Sequence, residues 1–380
     1  MRVPFLDVRR QNAPLEAELR AAFARVLESG HFILGAEVEC FEEAAASIAG
    51  ARFAVGMSSG TDALLVALMA LGIGPGDEVI CPAFTFFATA GCIARVGATP
   101  VFADSCPESF NLDPAGIEPL ITSRTKAIIP VHLFGQPADM DAILAIARRN
   151  NVRVIEDAAQ AFGAEYQGNP VGAIGDCGTI SFYPSKNLGG FGDAGLLVTN
   201  DSALAGRARL LRNHGAGDEY IHSTVGGNFR LDAVQAALLA VKLPLLAGYT
   251  ARRQQHACEY QRLLRGIESR ITLPATRPGR THIVNQFTLR VKKGRDSLRA
   301  FLSARGIASA IYYPVPLHRQ ECFRGLGSPA SVPVAEALAA EVLSIPVFPE
   351  LTAPEQAAVA QAIVDFCASA EDSASWRERP

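Results

Sequence analysis

Apolar positions recur at helical spacing over residues 14–28 and again over 37–48, predicting two amphipathic helices. An alternation follows. FAVGMS (53–58), DEVICP (77–82), TPVFAD (99–104), KAIIPVHLF (126–134) and VRVIED (152–157) read as strands. TDALLVALMALG (61–72), the run 87–96, DPAGIEPLI (113–121) and MDAILAIARRN (140–150) read as helices between them. Strands and helices alternating at this length predict right-handed βαβ units around a mostly parallel sheet. GTISFY (178–183) and GLLVTN (195–200) then predict two closely spaced strands. A helix over 201–212, a glycine- and histidine-rich loop (214–228), and helices over 230–243 and 250–267 follow. Beyond them, HIVNQFTLRV is read as a strand, DSLRAFLSARG as a helix, ASAIYYPV as a strand and 353–368 as a helix. A boundary near 245 is expected, with a large α/β domain over 1–245 and a smaller α+β domain over 246–380. The last ten residues are expected to fray.

The chain has 380 residues, 49% of them hydrophobic, which suffices for a large core. A net charge of −3 offers no basic face for nucleic acid. The eight cysteines are scattered with no C-x-x-C pair, so mostly buried thiols are expected in place of disulfides or a metal site. The N-terminus does not read as a signal peptide, and ALLVALMALGIG is too short to span a bilayer. A cytoplasmic protein is expected.

Two readings compete for SFYPSKNLGGFGDAG (181–195). Gly190, Gly192 and Gly195 have the spacing of a dinucleotide-binding loop, as in a nicotinamide oxidoreductase. They precede a predicted strand, however, where that loop should open a helix. The other reading rests on Lys186. VIEDAAQ sets Asp157 just past an apolar strand, with Gln160 three residues on, and Lys186 follows the next strand. Ligands bind at the carboxyl ends of strands in open α/β sheets. Ser58, Ser59, Gly60 and Thr61 form a strand-to-helix turn whose free N–H groups suit a phosphate, although an ordinary N-cap has the same pattern. Lysine, carboxylate and phosphate seat together are what pyridoxal 5′-phosphate (PLP) requires: imine formation, a partner for the pyridine nitrogen, and an anion cradle. Ser181 can add a hydroxyl, and Phe84, Phe86 and Phe87 are available to cover the ring.

With these residues goes a resemblance. The blocks SGHFILGAEVECFE, SSGTDAL, GDEVICPAFTFFATA, RTKAIIPVHLFGQPADM, VIEDAAQAFGA, SFYPSKNLGGFGDAG, LRNHG, GGNFRLDAVQAAL and IYYPVPLH resemble, in order and over nearly the whole chain, the DegT/DnrJ/EryC1/StrS family of PLP-dependent sugar aminotransferases. The resemblance implies fold type I, the aspartate-aminotransferase architecture. It implies that Lys186 carries the cofactor as a Schiff base and shuttles a proton. Asp157 pairs with the pyridine nitrogen, Gln160 contacts the ring-hydroxyl side, Gly60, Thr61 and Ser181 hold the phosphate, and Phe86 stacks on the ring. Asn228 reaches the cofactor of a second subunit, giving a homodimer with shared sites. Arg230, Tyr312, Tyr313 and His318 lie in blocks that face the sugar nucleotide. Relatives with histidine in place of the lysine dehydrate sugars, so the lysine implies transamination, with L-glutamate as amino donor and a UDP- or dTDP-linked 3-keto sugar as acceptor. A 4-keto sugar is the alternative, and a non-catalytic PLP-fold protein a more distant one. Family members commonly read GDGG where this chain has GDAG, which touches only local turn shape.

Overall fold

The computed structural model describes residues 2–218, 220–326 and 331–372, so the expected fraying falls almost wholly outside the described residues. Seven strands form the central sheet: β1 (Phe53–Met57), β2 (Glu78–Pro82), β3 (Thr99–Ala103), β4 (Thr125–Ile128), β5 (Arg153–Asp157), β6 (Cys177–Ser181) and β7 (Gly195–Thr199). Their spatial order is β1-β7-β6-β5-β4-β2-β3. Neighbours from β6 through to β3 are parallel, and β7 runs antiparallel to both β6 and β1. Nearly every strand residue is buried, as expected of strands covered on both faces. The winding direction reverses between β2 and β4, and the ends of β1, β2, β5 and β6 open at the same edge of the sheet. That is where such sheets place ligands. The architecture is that of fold type I.

Two apolar clusters flank this sheet. A third, built around Tyr260, Phe287, Leu298, Leu302, Leu343 and Ile363, belongs to a separate three-stranded antiparallel sheet (Ile271–Thr272, Phe287–Val291, Val342–Ile345) and its helices. Val3 joins that third cluster and pairs with Ile307, so the chain's first residues pack on its C-terminal unit. The helices Ala233–Lys242 and Leu246–Leu263 make a run long and apolar enough to cross a membrane by length and composition. Its Ala236, Leu239, Leu243 and Leu246 are already buried in the core.

Some expectations are corrected. Residues 113–121 form two 3₁₀ turns, Pro114–Gly116 and Glu118–Leu120, in place of a helix. Pro114 and Pro119 each lack an N–H, and the segment is too short to recover the loss. Residues 126–134 hold a regular strand only to Ile128; pairing with the end of β5 resumes as one parallel bridge, Val131 with Asp157, before a turn at Leu133–Gly135 ends it. ASAIYYPV is not a strand. It makes a single bridge, Ala310 with Ser344, before its tyrosines pack against Phe5, Phe84 and Phe86. The helix Pro333–Glu341 and the strand Val342–Ile345 were not foreseen. Cys81, Cys92, Cys177 and Cys367 are buried, Cys106 is half-buried, and Cys40, Cys258 and Cys322 are exposed, so fewer thiols are hidden than expected.

Candidate active site

The turn after β1 is built to expose amides. Ser59 caps the helix Gly60–Ala70, its Oγ accepting from the Asp62 N–H at 3.0 Å, while the Ser59 carbonyl takes the Ala63 N–H at 3.0 Å. The Asp62 carboxylate is held by the Ser58 hydroxyl at 2.6 Å. The N–H groups of Gly60 and Thr61 keep no protein partner among the described residues, as the first turn of a helix dictates. Two glycines let this turn sit on the end of the β6–β7 pair, where Ser181 faces Gly195. A Cβ at Gly60 would lie 2.7 Å from Ser181 Cβ, and one at Gly195 would lie 2.3 Å from the Ser59 carbonyl carbon. Free amides at a positive helix end, with the Thr61 and Ser181 hydroxyls beside them, fit a phosphate.

The rest of the motif converges on the same space. A cavity of about 530 Å³ is lined by Lys186, Asp157, Gln160 and Ser181, by Gly60 and Thr61, and by the aromatic rings of Phe86, Tyr183, Tyr312 and Tyr313. Lys186 ends a tight turn, its N–H donating to the Tyr183 carbonyl at 2.8 Å, with Pro184 at the position that presets the turn. Burial pushes its amine down to about 8, against the opposing pull of Asp157. The chain has five lysines, at 126, 186, 242, 292 and 293, and Lys186 is the one that lines this cavity.

Asp157, at the end of β5, is buried, and burial raises its pKa. Against this, its Oδ2 accepts the Thr89 hydroxyl at 2.8 Å and its Oδ1 the Ala159 N–H at 3.2 Å. The Gln160 amide is fixed at both ends: Oε1 accepts from the Phe134 N–H at 2.7 Å, and Nε2 donates to the Tyr313 hydroxyl at 3.1 Å. Of the three phenylalanines after β2, Phe84 is buried, Phe87 stacks on Phe323, and Phe86 presents a half-exposed ring to the cavity. Glu156 faces away from Asp157. It binds His132 Nε2 at 3.0 Å and the N–H groups of Gly172, Ile174 and Gly175, so it braces a loop. His132 Nδ1 accepts from the Ala138 N–H, which places the ring proton on Nε2.

Three residues named from the sequence lie outside this cavity. Asn228 is exposed and bridges to Asn213. Arg230 donates to Asn213 Oδ1 at 2.8 Å. His318 Nε2 contacts Glu336 at 3.1 Å. Conversely, Thr85, Thr89, Tyr183, Asp193 and Gln286 line or support the site without having been singled out. For Tyr183 and Asp193 a signal existed, since both flank the lysine in the quoted motif. The glycine spacing leads into β7 and opens no helix, so the dinucleotide reading lacks its structural context. Gly189 and Phe191 are instead braced from the helix Ala233–Lys242: Lys242 Nζ donates to the Gly189 carbonyl at 2.5 Å, and Gln235 Oε1 accepts the Phe191 N–H at 3.0 Å.

A lysine and a buried carboxylate beside a helix N-terminus, on this strand order, fit the class of fold type I PLP-dependent enzymes. Within it, the chain belongs to the DegT/DnrJ/EryC1/StrS aminotransferase family, whose model matches residues 14–364. It is 49% identical to a "pleiotropic regulatory protein" of Geobacillus stearothermophilus, over 96% of this chain and 99% of that one. It is 47% identical to the UDP-N-acetyl-3-dehydro-α-D-glucosamine 3-aminotransferase of Acidithiobacillus ferrooxidans, over 95% and 97% of the two chains. Among solved structures, DesV of S. venezuelae in complex with a ketimine intermediate superposes with a TM-score of 0.93 at 46% identity, covering 96% of this chain and 98% of that one. NtdA of Bacillus subtilis, solved with bound PMP, superposes at 0.90 with 31% identity, over 97% and 85%. The protein is an aminotransferase, and its cofactor is PLP.

Proposed function

We propose that this enzyme moves an amino group from L-glutamate to the keto group of a nucleotide-linked sugar, at C3 of a UDP- or dTDP-linked hexose. The observation that carries the reading is the convergence of Lys186, Asp157 and the Gly60–Thr61 amides on one cavity. Bound PLP supplies an electron-withdrawing ring that stabilises charge on the carbon that loses its proton. Everything else is done by the chain. Lys186 is the covalent anchor and, once displaced, the proton carrier. An amine lowered to about 8 is neutral in a useful fraction near neutral pH, which a base requires. Asp157 holds the ring nitrogen protonated, and that positive partner in turn favours its ionised form. Gly60, Thr61 and Ser181 hold the phosphate, Phe86 covers the ring, and Gln160 faces the ring hydroxyl. The aminating role is favoured over a regulatory one because both lysine and acid are present.

The C3 assignment leans on the 3-aminotransferase of Acidithiobacillus ferrooxidans. We also propose a cytoplasmic homodimer whose sites are shared. Asn228 and Arg230 lie outside their own chain's cavity, available to a second copy, and Phe23, Leu27, Phe32 and Ile33 leave apolar surface for it to cover. On this reading Tyr312 and Tyr313 contact the sugar nucleotide, with His318 and Arg230 at its margin. The two-domain division near 245 is supported by the separate third cluster. Incubating the enzyme with glutamate and either 3-keto or 4-keto sugars carrying UDP or dTDP, then locating the new amine by NMR, tests the reading. An amine at C3 is expected. An amine only at C4 moves the assignment, and no amine on any sugar overturns it.

A further inference from the structure

We propose that Thr89 is a positioning residue for Asp157: its hydroxyl orients the carboxylate that meets the cofactor's ring nitrogen. The proposal rests on the role given to Asp157 above. Thr89 is the third residue of the helix Phe87–Arg95, is fully buried, and stands 68 residues from its partner. A buried threonine on a helix commonly turns its hydroxyl back to the carbonyl four residues earlier. Here Oγ1 instead lies 2.8 Å from Asp157 Oδ2. An ionised carboxylate can only accept, so Thr89 donates its single proton to it. Thr85 Oγ1 lies 3.4 Å from Thr89 Oγ1, and with the Thr89 proton committed, Thr85 becomes the donor in that contact. The result is a short chain of hydroxyls running from Thr85 through Thr89 to the carboxylate.

The second anchor, the Ala159 N–H on Oδ1, is longer at 3.2 Å. Together the two donors fix the plane of the carboxylate and leave each oxygen one lone pair. Burial pushes Asp157 toward the neutral acid, and the Thr89 hydrogen bond is the strongest of the influences opposing it. Lys186, after β6, also favours its charge, while His132, after β4, stands beside it with its Nδ1 accepting the Ala138 N–H and so as a neutral ring. Cys92 on the Thr89 helix and Tyr313 are the other titratable groups that feel it. A neutral Asp157 offers a proton where the ring nitrogen needs an acceptor. The hydroxyl therefore acts on the cofactor's electronics without touching it.

The test compares Thr89→Val, which keeps the shape and loses the hydroxyl, with Thr89→Ser, which keeps the hydroxyl, and with Asp157→Asn. Each holoenzyme is titrated with pH while the visible absorbance of bound PLP is followed, and PLP release is measured separately. Thr89→Val is expected to shift the absorbance midpoint in the same direction as Asp157→Asn, by less, and to weaken PLP binding about tenfold, the worth of one hydrogen bond to a charged group. Thr89→Ser is expected to restore both. A wild-type midpoint in Thr89→Val, or a Thr89→Ser that behaves like Thr89→Val, overturns the proposal. Should Thr89→Val not fold, Thr89→Ala carries the same comparison. An unchanged spectrum in Asp157→Asn refutes the role of Asp157 itself, and so separates the two failures.

Discussion

Replacing Gly195 with alanine probes the phosphate seat without removing any group that touches the cofactor. The added Cβ would lie 2.3 Å from the Ser59 carbonyl carbon, 2.4 Å from its oxygen and 2.6 Å from the Gly60 nitrogen. All three are backbone atoms, so no side-chain rotation relieves the contact. Ordinary contact begins near 3.4 Å, so the turn or the end of β7 must move by about 1 Å. A shift of that size moves the Gly60 and Thr61 amides off a phosphate oxygen. Losing one hydrogen bond to a charged group costs about 1.5–3 kcal/mol, or roughly 10- to 150-fold in PLP affinity. The cofactor-free protein should lose about 1–3 kcal/mol from overpacking. PLP titration followed by absorbance, with urea unfolding of the cofactor-free protein, reads both effects. Gly206→Ala, in the helix Ser202–Arg212 where a Cβ meets nothing within 4 Å, is the control. It should bind PLP normally and gain about 0.5–1 kcal/mol. A Gly195→Ala protein that binds PLP as the wild type does, at unchanged stability, refutes the close-approach argument.

Three further outcomes are expected. Glu42→Ala strips the buried Arg212 of its partner at 2.5 Å and the Gly56 N–H of its acceptor, and should cost about 3–5 kcal/mol in urea unfolding; a loss under about 1 kcal/mol contradicts this. Lys242 is pushed down to about 8 by burial, so between that value and the ordinary 10.5 the unfolded chain binds the extra proton and stability rises with pH. Lys242→Met should flatten that rise in the cofactor-free protein, and an identical pH slope in the two proteins counts against it. Glu355 is held down at about 2, chiefly by its hydrogen bond from Arg10. Its contribution is complete above the ordinary carboxylate pKa and fades as pH falls toward 2, so the stability gap between wild type and Glu355→Gln should narrow over that interval; a pH-independent gap refutes the assignment.

How much of this was legible in the sequence differs by feature. Asp157 and Lys186 could be read because one ends an apolar strand and the other lies one turn past the next, and parallel sheets gather strand ends at one edge. The Ser58–Thr61 turn could be read for the same reason, although the close approaches of Gly60 to Ser181 and of Gly195 to Ser59 depend on how β1, β6 and β7 pair. Thr89 could not. It lies within a helix in an ordinary ATA run, and its contact with Asp157 joins segments 68 residues apart. The choice among Phe84, Phe86 and Phe87 likewise depends on which ring the turn after β2 leaves facing the cavity. ASAIYYPV misled because its β-branched and aromatic residues match strand preference, while tertiary packing against Phe84 and Phe86 decides its path. Proline overrode apolar spacing at 113–121.

In the proposed function Lys186 is the cofactor's anchor. Reducing the PLP-loaded enzyme with borohydride fixes the cofactor to whichever amine holds it, and peptide mass spectrometry then reads the position among the five lysines. A phosphopyridoxyl group is expected on Lys186 alone, and none on Lys186→Ala. A label on Lys126, Lys242, Lys292 or Lys293, or no label on a protein that still transaminates, contradicts it.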